Sequence, residues 1–134
     1  MPIDDRWDRL SDSDWDAFAR TWVADLRGSP SDSASDVGQS VVMMNFTARA
    51  EHQWRFILAA IAYASDEELG DIAAGPVEHL LGKYGAEYIG EVEQRAEADP
   101  KFARMLAGVW QYMMTDEVWA RVKALKARCK TSKD

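Results

Sequence analysis

Apolar residues in this chain recur at helical spacing, and no stretch alternates apolar and polar residues for long enough to suggest a strand. In "SDSDWDAFARTWVADLRG", Trp15, Phe18, Trp22, Val23 and Leu26 fall on a single stripe. Ser13 is placed to cap that helix, with Asp14 and Asp16 in its first turn. Gly28 is placed to end it in a left-handed conformation. From Val37 to Ala64 the pattern is again helical but longer than an average helix, so it reads either as one helix or as two with a break near Asn45–Ala50. Its second half, "QWRFILAAIAYA", is apolar nearly all round, as suits a helix covered on several sides.

Glycine and proline punctuate the second half of the chain. Ser65-Asp-Glu-Glu68 reads as a capping box that opens a short helix through Leu69 and Ile72. In "AAGPVEHLLGKYG", Gly75 is expected to end that helix and Pro76 to take the first position of the next, which makes a sharp corner. Glu78 then falls beside the free N–H groups, Leu80, Leu81 and Tyr84 face the core, and Gly85 stops the helix. A further helix, Ala86 to Ala98, sets Ile89, Val92 and Ala96 on one face. Asp99–Pro100 repeats the cap-and-proline start, ahead of a stripe of Phe102, Met105, Leu106, Val109 and Trp110. Thr115 opens the last helix, which carries Val118, Trp119, Val122 and Leu125.

These elements predict an all-α fold: six or seven short helices in a compact orthogonal or HEAT-like bundle, without β-sheet. No 34- or 40-residue repeat supports a true solenoid. The 134 residues are expected to form one domain, 1–134, with residues 28–36 a flexible Ser/Asp-rich loop and 129–134 a frayed tail. At 47% hydrophobic the chain can fill a core, which argues against disorder. Six tryptophans strengthen that reading, since each removes roughly 150–250 Å² from water when buried.

Charge narrows the class of partner. The net charge is −7, and residues 65–99 hold ten acids and two bases, a local −8. Residues 100–134 hold three acids and eight bases, a local +5. The acidic middle argues against nucleic-acid binding, and the basic end can complement a helix dipole. One cysteine, Cys129, cannot form an internal disulfide, and the acidic N-terminus lacks the apolar region of a secretion signal. The longest mostly apolar run, Phe56 to Ala64, is about half of a membrane span. A cytoplasmic protein that binds neither membrane nor nucleic acid is expected.

The stretch "LGDIAAGPVEHLLGKYGAEYIGEVEQRAEADPKFARMLAGVW" carries a pattern close to A-A-G-P-x-E-x-L-L, a glycine, E-x-x-A, then D-P-x-F and V-W. Its carriers are Gly75, Pro76, Glu78, Leu80, Leu81, Gly85, Glu93, Ala96, Asp99, Pro100, Phe102, Leu106, Val109 and Trp110. On these residues the chain resembles a group of small bacterial domains of unknown function, over about residues 54–122. The resemblance implies no particular reaction or ligand. Most of its positions double as caps, corners and core; Glu93 has no such mechanical role in the sequence.

Motifs for catalysis are missing. Carboxylate metal sites in bundles need Glu-x-x-His, but Arg49 precedes His52 by three and Pro76 precedes His79. H-E-x-x-H, C-x-x-C, the phosphate-cradling glycine loops and G-x-S-x-G are all absent. No metal, cofactor or catalytic residue is therefore expected. The surface feature that remains is acidic: Glu87 with Glu91, and Glu93 with Glu97, each spaced i, i+4. The plain reading is a solvated face. The sharper one is a docking surface for a basic protein, with Tyr88 as anchor beside Glu87, Glu91, Glu93 and Glu97. The expected function is thus a non-catalytic protein-binding module, more specifically an immunity protein that neutralises a bacterial toxin. Two alternatives stand beside it: a small enzyme or ligand binder using Glu78, His79 and Glu93, and a homo-oligomeric structural protein.

Overall fold

Every element of this chain is helical, and no strand occurs among the described residues. The computed structural model describes residues 2–28 and 36–131, with side chains through Arg128. The expected flexible loop and frayed tail therefore lie largely outside the described residues. The chain divides into two compact units, Met1–Glu68 and Leu69–Asp134, each with its own buried cluster.

The first unit holds a 3₁₀ turn (Asp5–Arg9), α1 (Asp12–Arg27), α2 (Asp36–Thr47), α3 (Ala50–Tyr63) and a second 3₁₀ turn (Asp66–Glu68). Ser11, rather than Ser13, caps α1: its Oγ accepts the Asp14 N–H at 3.1 Å, and the Asp14 carboxylate accepts the Ser11 N–H at 2.9 Å. Ser13 has Asp16 at the same spacing, but Ser13 lies inside α1, too late to cap the helix. Gly28 is extended (φ −69°, ψ 171°), so the left-handed stop is not used. Its N–H instead closes on the carbonyls of Ala24 and Asp25, which satisfies the helix end without a positive φ.

Of the two readings of residues 37–64, the structure takes two helices, with the break between Thr47 and Ala50. Thr47 organises it: its hydroxyl donates to the Met43 carbonyl at 2.6 Å and accepts the Trp7 indole N–H at 2.8 Å. Gln53 spans the corner by donating to the Ala48 carbonyl at 2.8 Å. Trp15, Met44, Phe56 and Ile57 are fully buried, and α1 packs on both α2 and α3. The Ser65–Glu68 box is realised in its reach-back half: the Glu68 carboxylate accepts the Ser65 N–H and the Ser65 hydroxyl, each at 2.8 Å.

The second unit comprises α4 (Leu69–Ile72), a π turn (Ala73–Val77), α5 (Glu78–Ala98), α6 (Pro100–Met105), a 3₁₀ turn (Leu106–Gly108) and α7 (Asp116–Thr131). Here one expected corner vanishes. Gly75–Pro76 does not end a helix; Ile72, Val77 and Glu78 are all right-handed helical, and no described glycine has positive φ. A proline inside a helix lacks an N–H and presses on the carbonyl four residues back; widening the turn by one residue relieves both. At Gly85 the expected stop survives as a kink: two helical segments of α5 meet at Tyr84 (φ −125°, ψ 26°), one residue before that glycine. Its missing side chain serves packing: a Cβ there would lie 3.0 Å from a Val118 methyl on α7.

The remaining caps match the sequence. The Asp99 carboxylate accepts the N–H groups of Lys101 and Phe102 ahead of Pro100, and the Thr115 hydroxyl accepts the Val118 N–H at 3.2 Å. Leu80, Leu81, Ile89, Val92, Phe102, Met105, Leu106, Val109 and Val122 form the core between α5, α6 and α7.

Candidate functional site

Past the 3₁₀ turn the backbone straightens at Val109 (φ −85°, ψ 130°). In extended chain, neighbouring side chains point to opposite sides. Val109 is accordingly buried, and Trp110, expected in the core, is 65% exposed. Tyr112 (43%) and Met113 (77%) follow it into solvent. Three of the six large hydrophobic side chains exposed among the described residues thus fall within four consecutive positions, which makes a patch rather than scatter.

This connection is held firmly. The Glu78 carboxylate accepts the Trp110 N–H at 2.9 Å, and the Lys126 ammonium donates to the Val109 carbonyl at 2.7 Å. The Gln111 amide donates to the Met114 carbonyl and to Asp116, both at 3.1 Å. Tyr112 packs on the His79 ring with centroids 5.0 Å apart. Met113 has φ 60°, the one positive value at a non-glycine among the described residues. Underneath lies Gly82 of α5, where a Cβ would stand 2.6 Å from the Tyr112 carbonyl oxygen and 3.0 Å from the Met113 Cβ.

That contact makes a testable pair. Gly82→Ala should destabilise the unit, since overpacking against backbone costs about 1–3 kcal/mol. This exceeds the ~1 kcal/mol that alanine gains over glycine inside a helix. Further along α5, a Cβ at Gly90 would meet nothing within 4 Å. There, Gly90→Ala should stabilise by about 0.5–1 kcal/mol. Urea unfolding should return opposite signs for the two; the same sign would mean the loop is not seated on α5.

The rim of the loop is aromatic and cationic. Trp110 leans on Trp119 of α7, with centroids 6.3 Å apart and planes at 36°. The Lys126 ammonium lies 4.1 Å from the Trp110 ring centre and 5.3 Å from that of Trp119, while the Lys123 ammonium lies 5.9 Å from Trp119. Burial pushes the Glu78 carboxyl above its ordinary range, against the pull of the Trp110 N–H and Lys126. Burial also pulls the His79 imidazole below its usual range, which favours the neutral ring that packs on Tyr112. Both side chains serve here as fixings for the loop.

The residues singled out from sequence part company. Glu78 and His79 meet at the loop, but Glu93 lies roughly four helical turns further along α5. Arg121 of α7 grips Glu93 with both arms, Nε donating to Oε2 at 2.9 Å and Nη2 to Oε1. That hydrogen-bonded guanidinium holds the Glu93 carboxyl below its usual range and gives the residue its mechanical role, clamping α5 to α7. Glu97 meets Arg128 at 3.4 Å. Glu87 and Glu91 face solvent, with no ion pair among the described residues, and Tyr88 is half-buried. The acidic row is therefore two neutralised acids and two open ones.

In the first unit the densest polar cluster is Asp8 with His52 (2.8 Å) and Arg49 (3.2 Å). The His52 hydrogen bond is the main cause that holds the Asp8 carboxyl below its usual range. The cluster straps the first 3₁₀ turn to the start of α3, with His52 stacked on Trp15 at 5.3 Å. Among the described residues no group of three His, Cys, Asp or Glu side chains could hold a metal ion. No helix there is long and apolar enough to cross a membrane.

Fold and surface together define a small all-helical protein that displays a tethered apolar loop. The chain belongs to a family of unknown function, DUF6869, whose model matches residues 28–130. That span is wider than the resemblance over 54–122, reaches into both units and contains the whole loop. No curated protein and no solved structure matches the chain.

Proposed function

We propose that this chain is a cytoplasmic protein-binding module whose primary contact is the loop Trp110–Met113. The observation that carries the reading is that the loop is exposed and fixed at once. Large apolar groups left in water gain nothing from folding, and a left-handed Met113 costs free energy. A fold that nevertheless seats them with several tethers presents a surface already ordered for association, which lowers the entropy lost on binding. Tryptophan, tyrosine and methionine are also the residue types enriched in interface cores.

A second reading keeps the acidic face as the contact, as an immunity protein would use it against a basic toxin domain. It is favoured by the exposure of Glu87 and Glu91 on α5.

One experiment separates them. A partner is recovered from the native host and its affinity measured for variants of this chain. Trp110→Ala should shift unfolding by under about 1 kcal/mol, as for a surface position. It should weaken the partner by about thirtyfold or more, the mark of a hot spot. Unchanged affinity would remove the loop from the interface. If instead Glu87→Lys with Glu91→Lys slows association at low salt while Trp110→Ala does nothing, the acidic face is the contact.

A further inference from the structure

We propose that the surface formed by Trp110, Trp119, Lys123 and Lys126 takes an acidic segment of a partner protein, one carrying carboxylates beside apolar side chains. The inference rests on the protein-binding reading above and names the chemistry of the partner. Trp119, Lys123 and Lys126 stand at i, i+4 and i+7 on α7, so they form one stripe along that helix. Trp110 joins the stripe from the loop through its contact with Trp119. Anything that reaches the exposed indole of Trp110 meets an ammonium group within 4.1 Å of the ring centre. Lys123, further along the stripe, is exposed and stands over Trp119.

Complementarity then sets the partner's charge. An apolar side chain can cover the indoles while a carboxylate pairs with Lys123, in the positive field that the tethered Lys126 adds beside it, so both halves of the surface are used. A basic segment would bring cation against cation beside a ring face that already carries Lys126. Stacking of single-stranded nucleic acid on Trp110 is the competing chemistry. It fits less well, because every nucleotide brings a phosphate towards a chain of net charge −7. Glu78 lies under the loop, and Asp116 and Glu117 open α7 beside it. A peptide with one or two well-placed acids avoids that repulsion.

Selection from a random twelve-residue peptide library displayed on phage, with the full chain as bait, tests this directly. Enriched peptides should combine Asp or Glu with Leu, Phe or Trp. Made synthetically and measured by fluorescence anisotropy, they should bind about thirtyfold more weakly to Trp110→Ala. Lys123→Glu, which breaks none of the loop tethers, should weaken them by roughly fivefold. Circular dichroism confirms that both variants stay folded. Enrichment of basic or uncharged sequences, or none at all, overturns the acidic partner and leaves the loop reading standing. Acidic peptides that bind Trp110→Ala as well as wild type overturn both. Tighter binding of a twelve-nucleotide oligouridylate, lost with Trp110→Ala, replaces the peptide by single-stranded nucleic acid.

Discussion

Replacing Trp15 by alanine should cost the first unit about 3–5 kcal/mol, the range for truncating a large core aromatic. Trp15 is 2% exposed and touches Trp7, Phe18 and His52 with ring centroids 5.3–6.0 Å away. Alanine leaves a cavity between α1, the first 3₁₀ turn and the start of α3, and neither aromatic neighbour can fill it without leaving its own contacts. The indole N–H is buried without a hydrogen-bond partner among the described residues, so the loss is one of packing and apolar burial. Trp15→Phe should therefore recover most of the stability, because it keeps an aromatic face and removes an unsatisfied donor. Chemical denaturation followed by circular dichroism gives both values. A phenylalanine variant as damaged as the alanine one would show that the N–H is the important part.

Glu68→Ala should be the next most damaging change, at about 2–3 kcal/mol at neutral pH. Its carboxylate is 4% exposed as a residue and accepts the Ser65 N–H, the Ser65 hydroxyl and the Arg27 Nε, all at 2.8 Å. Removal leaves the Ser65 N–H without its acceptor where α3 hands over to the final turn of the unit, and the Arg27 guanidinium keeps only its bond to the Tyr63 carbonyl. The Ser65 N–H is the foremost of the hydrogen bonds that hold this carboxyl below its ordinary value of 4.5. A lowered folded-state value means that the carboxylate's stabilisation is complete above about 4.5 and fades as pH falls through the folded value. The stability gap between wild type and Glu68→Gln, which keeps the shape without the charge, should accordingly narrow in acid. A gap that stays constant from pH 7 to strongly acidic solution would mean the ionised form contributes nothing.

Much of the fold was legible in the chain because it is written in short-range chemistry. Helical periodicity needs only side chains three and four apart, and it correctly placed the stripes of α1, α3 and α7. Asp99–Pro100 and Thr115 were legible because a cap is settled by one side chain and the next two or three N–H groups. The cap of α1 was not legible, because Ser11 with Asp14 and Ser13 with Asp16 offer the same spacing and the structure uses the first. The tethered loop left one trace, Trp110-Gln-Tyr-Met113, three large apolar residues where a connection is ordinarily polar. Helical counting hid it by assigning Trp110 the phase of Val109. The phase breaks when α6 tightens into a 3₁₀ turn and the chain then extends.

The sequence by itself determined the all-helical class, the apolar stripes and the caps at Asp99 and Thr115, since each follows from local spacing and capping. The tertiary structure alone decided what glycine, proline and glutamate do at 75–76, 85 and 93. Whether a Gly-Pro step turns a corner or widens a helix depends on what packs against it. That Gly85, beside the kink at Tyr84, also admits Val118 depends on α7. Glu93 gained its purpose only when folding brought Arg121, 28 residues away, against it. The same holds for Trp110: an indole is core or surface according to which neighbours reach it first, and spacing along one chain carries no record of contacts made across it.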